Sequence, residues 1–266
     1  MKTVIITFML LLFPLLSFAT STDVTIIHTN DLHSHLLGFS PTIDYTPQTL
    51  NDDKTVGGWA RIATFIKKVK NERNNPVYVV DAGDFLMGTL FHITVRETGF
   101  ELNLLKRMGV EITTIGNHEF DVRPDGLARI LTAAIKNGGM PEILNANTIF
   151  SLESDEDNGL EKFFLNKTIK PYAIKDQNGI KVGFFGLMGR DAAEVAPFAK
   201  PLTFRDPIEV ARNMVQILRE EEQVDVAVML SHCGIWEKES ISEDEIIAQE
   251  VAGIDIIVSD HTPTIR

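Results

Sequence analysis

Cysteine and basic residues are scarce in this chain, and each scarcity excludes a class of protein. The only cysteine is Cys233, so an intramolecular disulfide and a zinc site built from several cysteines are both impossible. Lys and Arg number 25 against 37 Asp and Glu, a formal net charge of −12 at pH 7. An acidic chain without a basic run is poorly suited to binding a nucleic-acid polymer or an anionic membrane. A local site around a metal ion can still bind an anion, so a phosphate-bearing substrate is not excluded.

The first 19 residues carry the pattern of a signal peptide. Lys2 supplies a positive charge, residues 4–16 are almost wholly apolar, and small residues stand at positions 17 and 19, where a signal peptidase reads the chain. We therefore expect cleavage after Ala19, a folded domain over residues 20–266, and a periplasmic or extracellular protein. The apolar run is shorter than the about 20 residues of a membrane span, so we expect no span after cleavage. An uncleaved N-terminal anchor is the alternative.

Strand-like and helix-like segments alternate along the rest of the chain. Runs of β-branched and apolar residues predict strands, and apolar residues at helical spacing predict helices. The strands are expected over residues 24–28, 77–80, 112–115, 180–187, 224–230 and 254–258, and the helices over 59–70, 96–108, 125–136, 207–222 and 243–251. Asp206 is the expected N-cap of the helix at 207–222. The polar stretches 42–56 and 151–159 are the expected long loops. This alternation indicates a layered α/β domain.

Side chains that can bind metal ions follow five of the predicted strands. In α/β sheets, sites form beyond the carboxyl ends of the strands, and Asp, His and Asn bind hard to borderline divalent cations. A lone His there is usually a hydrogen-bonded structural residue, and a lone Asp is usually a helix N-cap. Here such side chains follow five strands that end at one edge of the fold. It is unlikely that each has its own structural explanation, so the pattern predicts a metal site. The motifs are His28-Thr29-Asn30-Asp31-Leu32-His33, Asp81-Ala82-Gly83-Asp84, Gly116-Asn117-His118-Glu119-Phe120-Asp121, Ser231-His232-Cys233-Gly234 and Ser259-Asp260-His261.

In this order the motifs resemble those of the calcineurin-like metallophosphoesterases, specifically the 5′-nucleotidase branch. Residues 57–61 and 181–186 also resemble that branch, and the resemblance covers most of residues 22–262. It implies an α/β fold, a layered αββα metallophosphoesterase sandwich with its site at the C-terminal ends of the strands. It further implies a metal-dependent phosphoester hydrolase resembling 5′-nucleotidases, 2′,3′-cyclic phosphodiesterases and nucleotide-sugar hydrolases. The expected partner is a small-molecule phosphoester, in particular a nucleotide.

The resemblance assigns six side chains to two divalent metal ions. The first ion would be held by Asp31 and His33 and the second by Asn117, His232 and His261, with Asp84 bridging them. Two cations about 3.5–4 Å apart can clamp a phosphate and acidify the water that attacks it. These ligand types admit Mn, Zn, Fe or Mg without choosing among them.

The other titratable side chains near the motifs divide into catalytic and structural groups. The resemblance gives His118 a role in stabilising the transition state or protonating the leaving group, with Asp121 orienting it. It gives His28 no ligand role, so we interpret His28 as structural, and His35 is left open. Cys233 alternates with its neighbours along a strand and is expected to point away from the metals, as a small core residue.

Two features depart from the family pattern. Where the family has a second His, Asn or Gln that completes the first metal site, this chain has Pro263, which offers no side-chain ligand. Asp260 replaces the usual Gly and is a candidate substitute ligand. The 5′-nucleotidase branch also carries a C-terminal substrate-binding domain, and we expect that domain to be absent because the sequence stops at Arg266, just after the last metal-binding motif. The alternative to an enzyme is therefore a truncated or vestigial metal-binding protein of the same fold with little or no turnover.

Overall fold

The computed structural model describes residues 23–39 and 55–262. The expected signal peptide, most of the expected loop at 42–56 and Pro263 lie outside these residues. The strands are β1 Thr25–Thr29, β2 Val77–Asp81, β3 Ile112–Thr114, β4 Glu142–Leu144, β5 Thr148–Ile149, β6 Ile169–Lys170, β7 Tyr172–Gln177, β8 Ile180–Met188, β9 Thr203–Phe204, β10 Val226–His232 and β11 Ile256–Ser259. The α-helices are α1 Trp59–Glu72, α2 Val95–Thr98, α3 Phe100–Met108, α4 Arg123–Asn137, α5 Asn158–Leu165, α6 Arg190–Glu194, α7 Pro207–Gln216 and α8 Glu243–Glu250.

Most of the strands form two sheets. The first sheet is wholly parallel, in the order β1-β2-β3-β4-β6. The second has the order β11-β10-β8-β7, with β7 antiparallel to β8 and the other pairs parallel. Parallel neighbours end at the same edge of a sheet, so β1, β2 and β3 deliver their following residues together, as do β10 and β11.

The core is divided into three apolar layers, which makes the molecule a four-layer sandwich. The middle layer lies between the sheets, where Tyr78 of β2 meets Phe184 of β8 with ring centroids 5.4 Å apart. The first sheet is covered on its outer face by α1, α3 and α4, and the second by α7 and α8. This arrangement confirms the expected αββα architecture. No helix in the described ranges has the length and apolar content that crossing a membrane requires.

The two sheets approach closely at a glycine of β8. A Cβ built on Gly186 would lie 2.4 Å from the carbonyl oxygen of Leu144 in β4 and 2.5 Å from the hydroxyl of Thr114 in β3. Only glycine allows this separation. The approach brings the end of the second sheet against the end of the first, which is where the polar motifs lie.

The predicted helix at 96–108 is wrong in one respect, because it is two helices. Gly99 adopts the left-handed conformation (φ 59°) between α2 and α3, and a Cβ there would lie 2.3 Å from the backbone nitrogen of Ala134 in α4. The break therefore lets α4 pack directly against the backbone of Gly99. The helix expected at 207–222 is present as α7, continued by a π-helical turn at Ile217–Glu221. Asp206 caps it by accepting hydrogen bonds from the Ile208 and Glu209 amides.

The sequence patterns gave no sign of helix α5 or of strands β5, β6 and β9. Helix α5 begins at Asn158, inside the stretch expected to be a loop, and buries Leu160 against the first sheet's helical layer. The three strands are two residues long each, too short for an alternating pattern to be recognised. None of these elements carries a residue of the predicted metal site.

Candidate metal centre

The predicted site residues meet at one edge of the sandwich. The segments that follow β1, β2 and β3 of the first sheet converge with those that follow β10 and β11 of the second. They line a cavity of about 350 Å³ whose walls include Asp31, His33, Asp84, Asn117, His118, Val195 and His261. His232 is fully buried directly behind Asn117 and Asp84. The structure thus brings together all six residues expected to bind metal.

Asp31 and His33 converge because the backbone leaves the strand between them. Asp31, His33 and Ser34 all have positive φ angles, of 47°, 42° and 51°, so the chain turns sharply after β1. As a result the His33 Nε2 atom lies 3.6 Å from an Asp31 carboxylate oxygen. The Leu86 carbonyl oxygen lies 3.0 Å from His33 Nδ1, which places the ring hydrogen on Nδ1. The lone pair of Nε2 is then available to a cation.

Asp84 occupies the centre of the site. It is buried, and its Oδ2 atom lies 3.3 Å from His232 Nε2 and 4.0 Å from His33 Nε2. Burial disfavours the charged form of Asp84, but the charge and hydrogen bond of His232 outweigh burial and hold the Asp84 pKa below its usual value. One carboxylate oxygen therefore sits between the two groups of predicted ligands, the position a bridging ligand requires.

Asn117, His232 and His261 form the second group. The Asn117 Oδ1 atom lies 3.0 Å from His232 Nε2 and 3.0 Å from His261 Nδ1. His232 Nδ1 lies 3.0 Å from the Ala82 carbonyl oxygen, so Nε2 is the nitrogen that faces the site. Burial lowers the pKa of His232, but Asp84 and Asp260 outweigh it and raise this pKa well above its ordinary value. A positive charge is thus favoured where Nε2, Asn117 and Asp84 meet, and a divalent cation fits that donor set.

Two carboxylates outside the predicted ligand set hold these histidines. Asp191, in the first turn of α6, places Oδ2 2.9 Å from His261 Nε2. Asp260 is buried, and its Oδ2 lies 3.1 Å from His232 Nδ1. Its other oxygen accepts hydrogen bonds from the Asn30 side chain (3.1 Å) and the His261 amide (2.7 Å). Both oxygens of Asp260 are engaged by these contacts, which fit a positioning role rather than that of a substitute ligand.

A third carboxylate organises the segments that carry Asp84 and Asn117. Glu119 is buried, and its two oxygens accept hydrogen bonds from three backbone amides, those of Asp84 (2.9 Å), Leu86 (3.1 Å) and Gly116 (2.7 Å). Burial and the nearby Asp84 raise the pKa of Glu119 well above its usual value. The side chain thus joins the turns after β2 and β3.

Asp244 has a similar function in the second sheet. It is buried at the start of α8 and accepts hydrogen bonds from the hydroxyls of Ser231 and Ser259. These two serines are register partners in β10 and β11, immediately before His232 and Asp260. Helix α8 therefore fixes both strand ends, and the only sequence signal for this was an acidic first helical turn.

His118 and Asp121 form a dyad at the mouth of the cavity. Their Nδ1 and Oδ2 atoms are 2.6 Å apart, and the His118 side chain is 40% exposed. The His118 backbone amide donates to Asp84 Oδ1 (2.9 Å), which ties the dyad to the centre of the site. Ligand atoms of His33, Asp84 and His118 also lie within 4.8 Å of one another, so a ligand role for His118 competes geometrically with a catalytic one.

The remaining candidates are not among the side chains that line the metal-binding cavity. His28 is exposed on β1, and His35 is exposed in the following turn, with its ring close to Gly88. Cys233 is fully buried in the layer between the second sheet and its helices, as expected for a core residue.

Removal of the Asp260 side chain is expected to weaken metal binding about 10- to 100-fold, the usual cost of losing a group that orients a ligand. In Asp260→Ala, His232 Nδ1 keeps only the Ala82 carbonyl, and Asn30 and the His261 amide lose a shared acceptor. Titration of the metal-free protein against a fluorescent chelator measures the effect. The exposed Asp176→Ala serves as the matched control. Unchanged affinity in Asp260→Ala would contradict the positioning role.

A four-layer α/β sandwich that gathers Asp, Asn and His at the ends of five strands is the architecture expected of the metallophosphoesterases. The chain belongs to the calcineurin-like phosphoesterase family, whose profile matches residues 24–264. Members of this family use divalent metal ions, in keeping with the cluster of His33, Asp84 and His118.

Known relatives place the chain near the nucleotidases. It is 32% identical over 260 residues to the trifunctional nucleotide phosphoesterase protein YfkN of Bacillus subtilis, covering 91% of this chain and 16% of that protein. It is 31% identical over 255 residues to the 5′-nucleotidase of Rattus norvegicus, covering 95% of this chain and 40% of the relative. Among solved structures, the 5′-nucleotidase precursor from Thermus thermophilus superposes with a TM-score of 0.69 at 29% identity, over 90% of this chain and 41% of the other. The chain thus spans well under half the length of these relatives.

Proposed function

We propose that this chain hydrolyses a small-molecule phosphoester, a nucleotide by class, with two divalent metal ions. The observation that carries the proposal is the position of Asp84, with one oxygen between His33 and His232, beside a His118–Asp121 dyad that opens on the same cavity. The nucleotide class is supported by relatives whose names include 5′-nucleotidase, apyrase and NAD nucleotidase. Mn, Zn, Fe and Mg all suit the ligand set.

The residues of the site fall into two groups, one that would bind the metal ions and one that donates a proton. Asp31 and His33 would hold the first ion, Asn117, His232 and His261 would hold the second, and Asp84 would be shared between the two groups. When bound, the ions supply positive charge to the phosphate oxygens and acidify the attacking water. Asp121 accepts the hydrogen on His118 Nδ1, so Nε2 is the atom that donates a proton to the leaving oxygen. The attacking water gives up one proton to solvent, its oxygen forms a bond to phosphorus as the bond from phosphorus to the leaving oxygen breaks, and the proton from His118 goes to that leaving oxygen.

A second candidate function is favoured by one residue of the sequence. Pro263 stands where the family has a ligand to the first ion, so a protein that binds one ion tightly and turns over slowly is the alternative. We further propose that residues 1–19 are a signal peptide, that residues 20–266 form the metallophosphoesterase domain, and that the protein is exported. N-terminal sequencing of the protein recovered from a periplasmic fraction tests the cleavage site and the export, and limited proteolysis of the purified protein tests the extent of the domain.

A single titration separates the two functions. The purified chain, stripped of metal with a chelator, is titrated with Mn²⁺ while bound metal and hydrolysis of AMP are followed together. We expect no activity without metal, one tightly bound ion, and activity that rises only as a second, weaker ion binds. Pro263→His is expected to tighten the weaker ion, the one that Asp31 and His33 would hold, because imidazole supplies the missing ligand. Two bound ions without turnover of AMP or of bis(p-nitrophenyl) phosphate would contradict the hydrolase and favour the alternative.

A further inference from the structure

A buried carboxylate of the helical layer contacts the turn that follows β1. Glu101 lies in the first turn of α3 and, like Ser34, is fully buried. The Ser34 hydroxyl donates a hydrogen bond of 2.9 Å to Glu101 Oε1. We propose that Glu101 is a positioning residue for the first metal ion, because through Ser34 it holds the turn that carries Asp31 and His33. The proposal rests on the proposed function, since that function assigns the first ion to these two side chains.

The turn after β1 has an unfavourable backbone conformation. Asp31, His33 and Ser34 all lie in the left-handed region, which residues other than glycine rarely adopt. Such a conformation persists only where the surrounding structure fixes it. The distance of 3.6 Å between the Asp31 carboxylate and His33 Nε2 depends on this turn. Loosening the contacts that fix the turn would therefore let the two proposed ligands separate.

Ser34 is anchored at each of its polar groups, and one of these anchors comes from a different part of the fold. Its amide donates to the Phe85 carbonyl oxygen (3.0 Å), and its own carbonyl oxygen accepts a hydrogen bond from the Thr89 hydroxyl (2.7 Å). Phe85 and Thr89 both belong to the segment that follows β2. Glu101 instead binds the hydroxyl from α3. The turn is therefore fixed to the helical layer as well as to the neighbouring segment.

The surroundings of Glu101 are unfavourable for a carboxyl group. Its second oxygen, Oε2, is buried and forms no hydrogen bond with any residue that the structure describes. Burial raises the pKa of Glu101 to about 7, although the hydrogen bond from Ser34 opposes this shift. A buried polar atom without a partner costs stability, so packing alone would favour an apolar side chain at this position. The hydrogen bond to Ser34 is what an apolar side chain could not provide.

Calorimetric titration of the metal-free full chain with Mn²⁺ tests the proposal. Glu101→Leu is expected to weaken the weaker equivalent, the first ion, about 10- to 100-fold, while the tightly bound ion keeps its affinity. Glu101→Gln is expected to bind both ions as wild type does, because its amide oxygen can accept the hydrogen bond from Ser34. Asp157→Ala is the matched control, since it removes a buried carboxylate of the same helical layer whose partner is the Ser151 amide.

A double variant separates positioning from support of the fold. Ser34→Ala combined with Glu101→Leu removes both partners of the hydrogen bond and leaves neither of them buried and unpaired. Its Tm is therefore expected at or above that of wild type. Its first ion is expected to bind as weakly as in Glu101→Leu, because the two substitutions remove the same interaction. This variant also covers the case in which Glu101→Leu alone does not fold.

The His33 ring gives a readout that needs neither metal nor turnover. The hydrogen on Nδ1 is bonded to the Leu86 carbonyl oxygen, and its NMR signal is expected to exchange slowly in wild type and in Glu101→Gln but to be lost in Glu101→Leu. If wild type binds only one equivalent of Mn²⁺, the two-ion function fails, and the His33 signal still decides whether Glu101 holds the turn. The inference is overturned if Glu101→Leu leaves the weaker equivalent, or in its absence the His33 signal, unchanged. It is also overturned if Glu101→Leu weakens both ions equally, or if Glu101→Gln or Asp157→Ala has the same effect.

Discussion

Asp84→Ala is expected to lose both metal ions together and, with them, all measurable phosphoester hydrolysis. The Asp84 carboxylate lies between the two groups of ligands, 3.3 Å from His232 Nε2 and 4.0 Å from His33 Nε2. Without it, each ion loses a charged ligand, and the mutual repulsion of two cations about 3.5–4 Å apart is no longer offset. Metal content by mass spectrometry, measured after dialysis against metal-free buffer, checks the result.

The exposed Asp23→Ala is the control for the loss of one carboxylate from the chain. Circular dichroism of Asp84→Ala is needed as well, because His232 then loses the carboxylate that lies 3.3 Å from its Nε2. A folded Asp84→Ala protein that retains two ions per chain would show that Asp84 does not bridge them. Loss of one ion alone would assign Asp84 to a single site.

His118→Ala is expected to keep its metal content but to lower kcat about 10²- to 10⁴-fold, the usual contribution of a positioned acid–base group. The prediction follows from the dyad, in which Asp121 holds Nδ1 and leaves Nε2 for the leaving oxygen. The loss should be large for AMP, whose alkoxide leaving group needs a proton. It should be much smaller for p-nitrophenyl phosphate, whose phenolate leaves without one.

This experiment also resolves the competition between the two roles of His118. Its ring lies within 4.8 Å of the ligand atoms of His33 and Asp84, so a metal-binding role makes a different prediction. If His118→Ala releases an ion, His118 is a ligand. If both substrates slow equally with metal retained, His118 stabilises charge rather than donating a proton. Asp121→Asn, which keeps the ring and removes the carboxylate, is expected to show a weaker version of the same pattern.

Sequence patterns located the site more securely than they located the elements around it. The parallel strands end at one edge, so residues as far apart as Asp31 and His261 can be placed together from the order of strands and motifs alone. The break at Gly99 cannot, because its cause is the backbone of Ala134, far along the chain. Helix α5 is missed for a similar reason, since its stability depends on burying Leu160 in a distant apolar layer.

The carboxylates that support the site could not be predicted from the sequence, for a different physical reason. Asp244, Asp260 and Glu119 act through hydrogen bonds whose partners lie on other segments, and a buried acid in a sequence is indistinguishable from an exposed one. Glu119 stands inside one of the metal-binding motifs, yet nothing in that motif assigns it a role. Its three amide contacts become apparent only when the turns after β2 and β3 are seen side by side.

The division of the proposed ligands between two sheets has a consequence for the order of folding and metal binding. Asp31 and Asp84 follow strands of the first sheet, whereas His232 and His261 follow strands of the second. The first sheet alone carries the residues proposed to hold the first ion, whereas the proposed second ion needs residues that follow strands of both sheets. Binding of the second ion would therefore come after the two sheets have packed together, and the bound ion would then stabilise that packing. A full complement of metal would mark a chain that has finished folding.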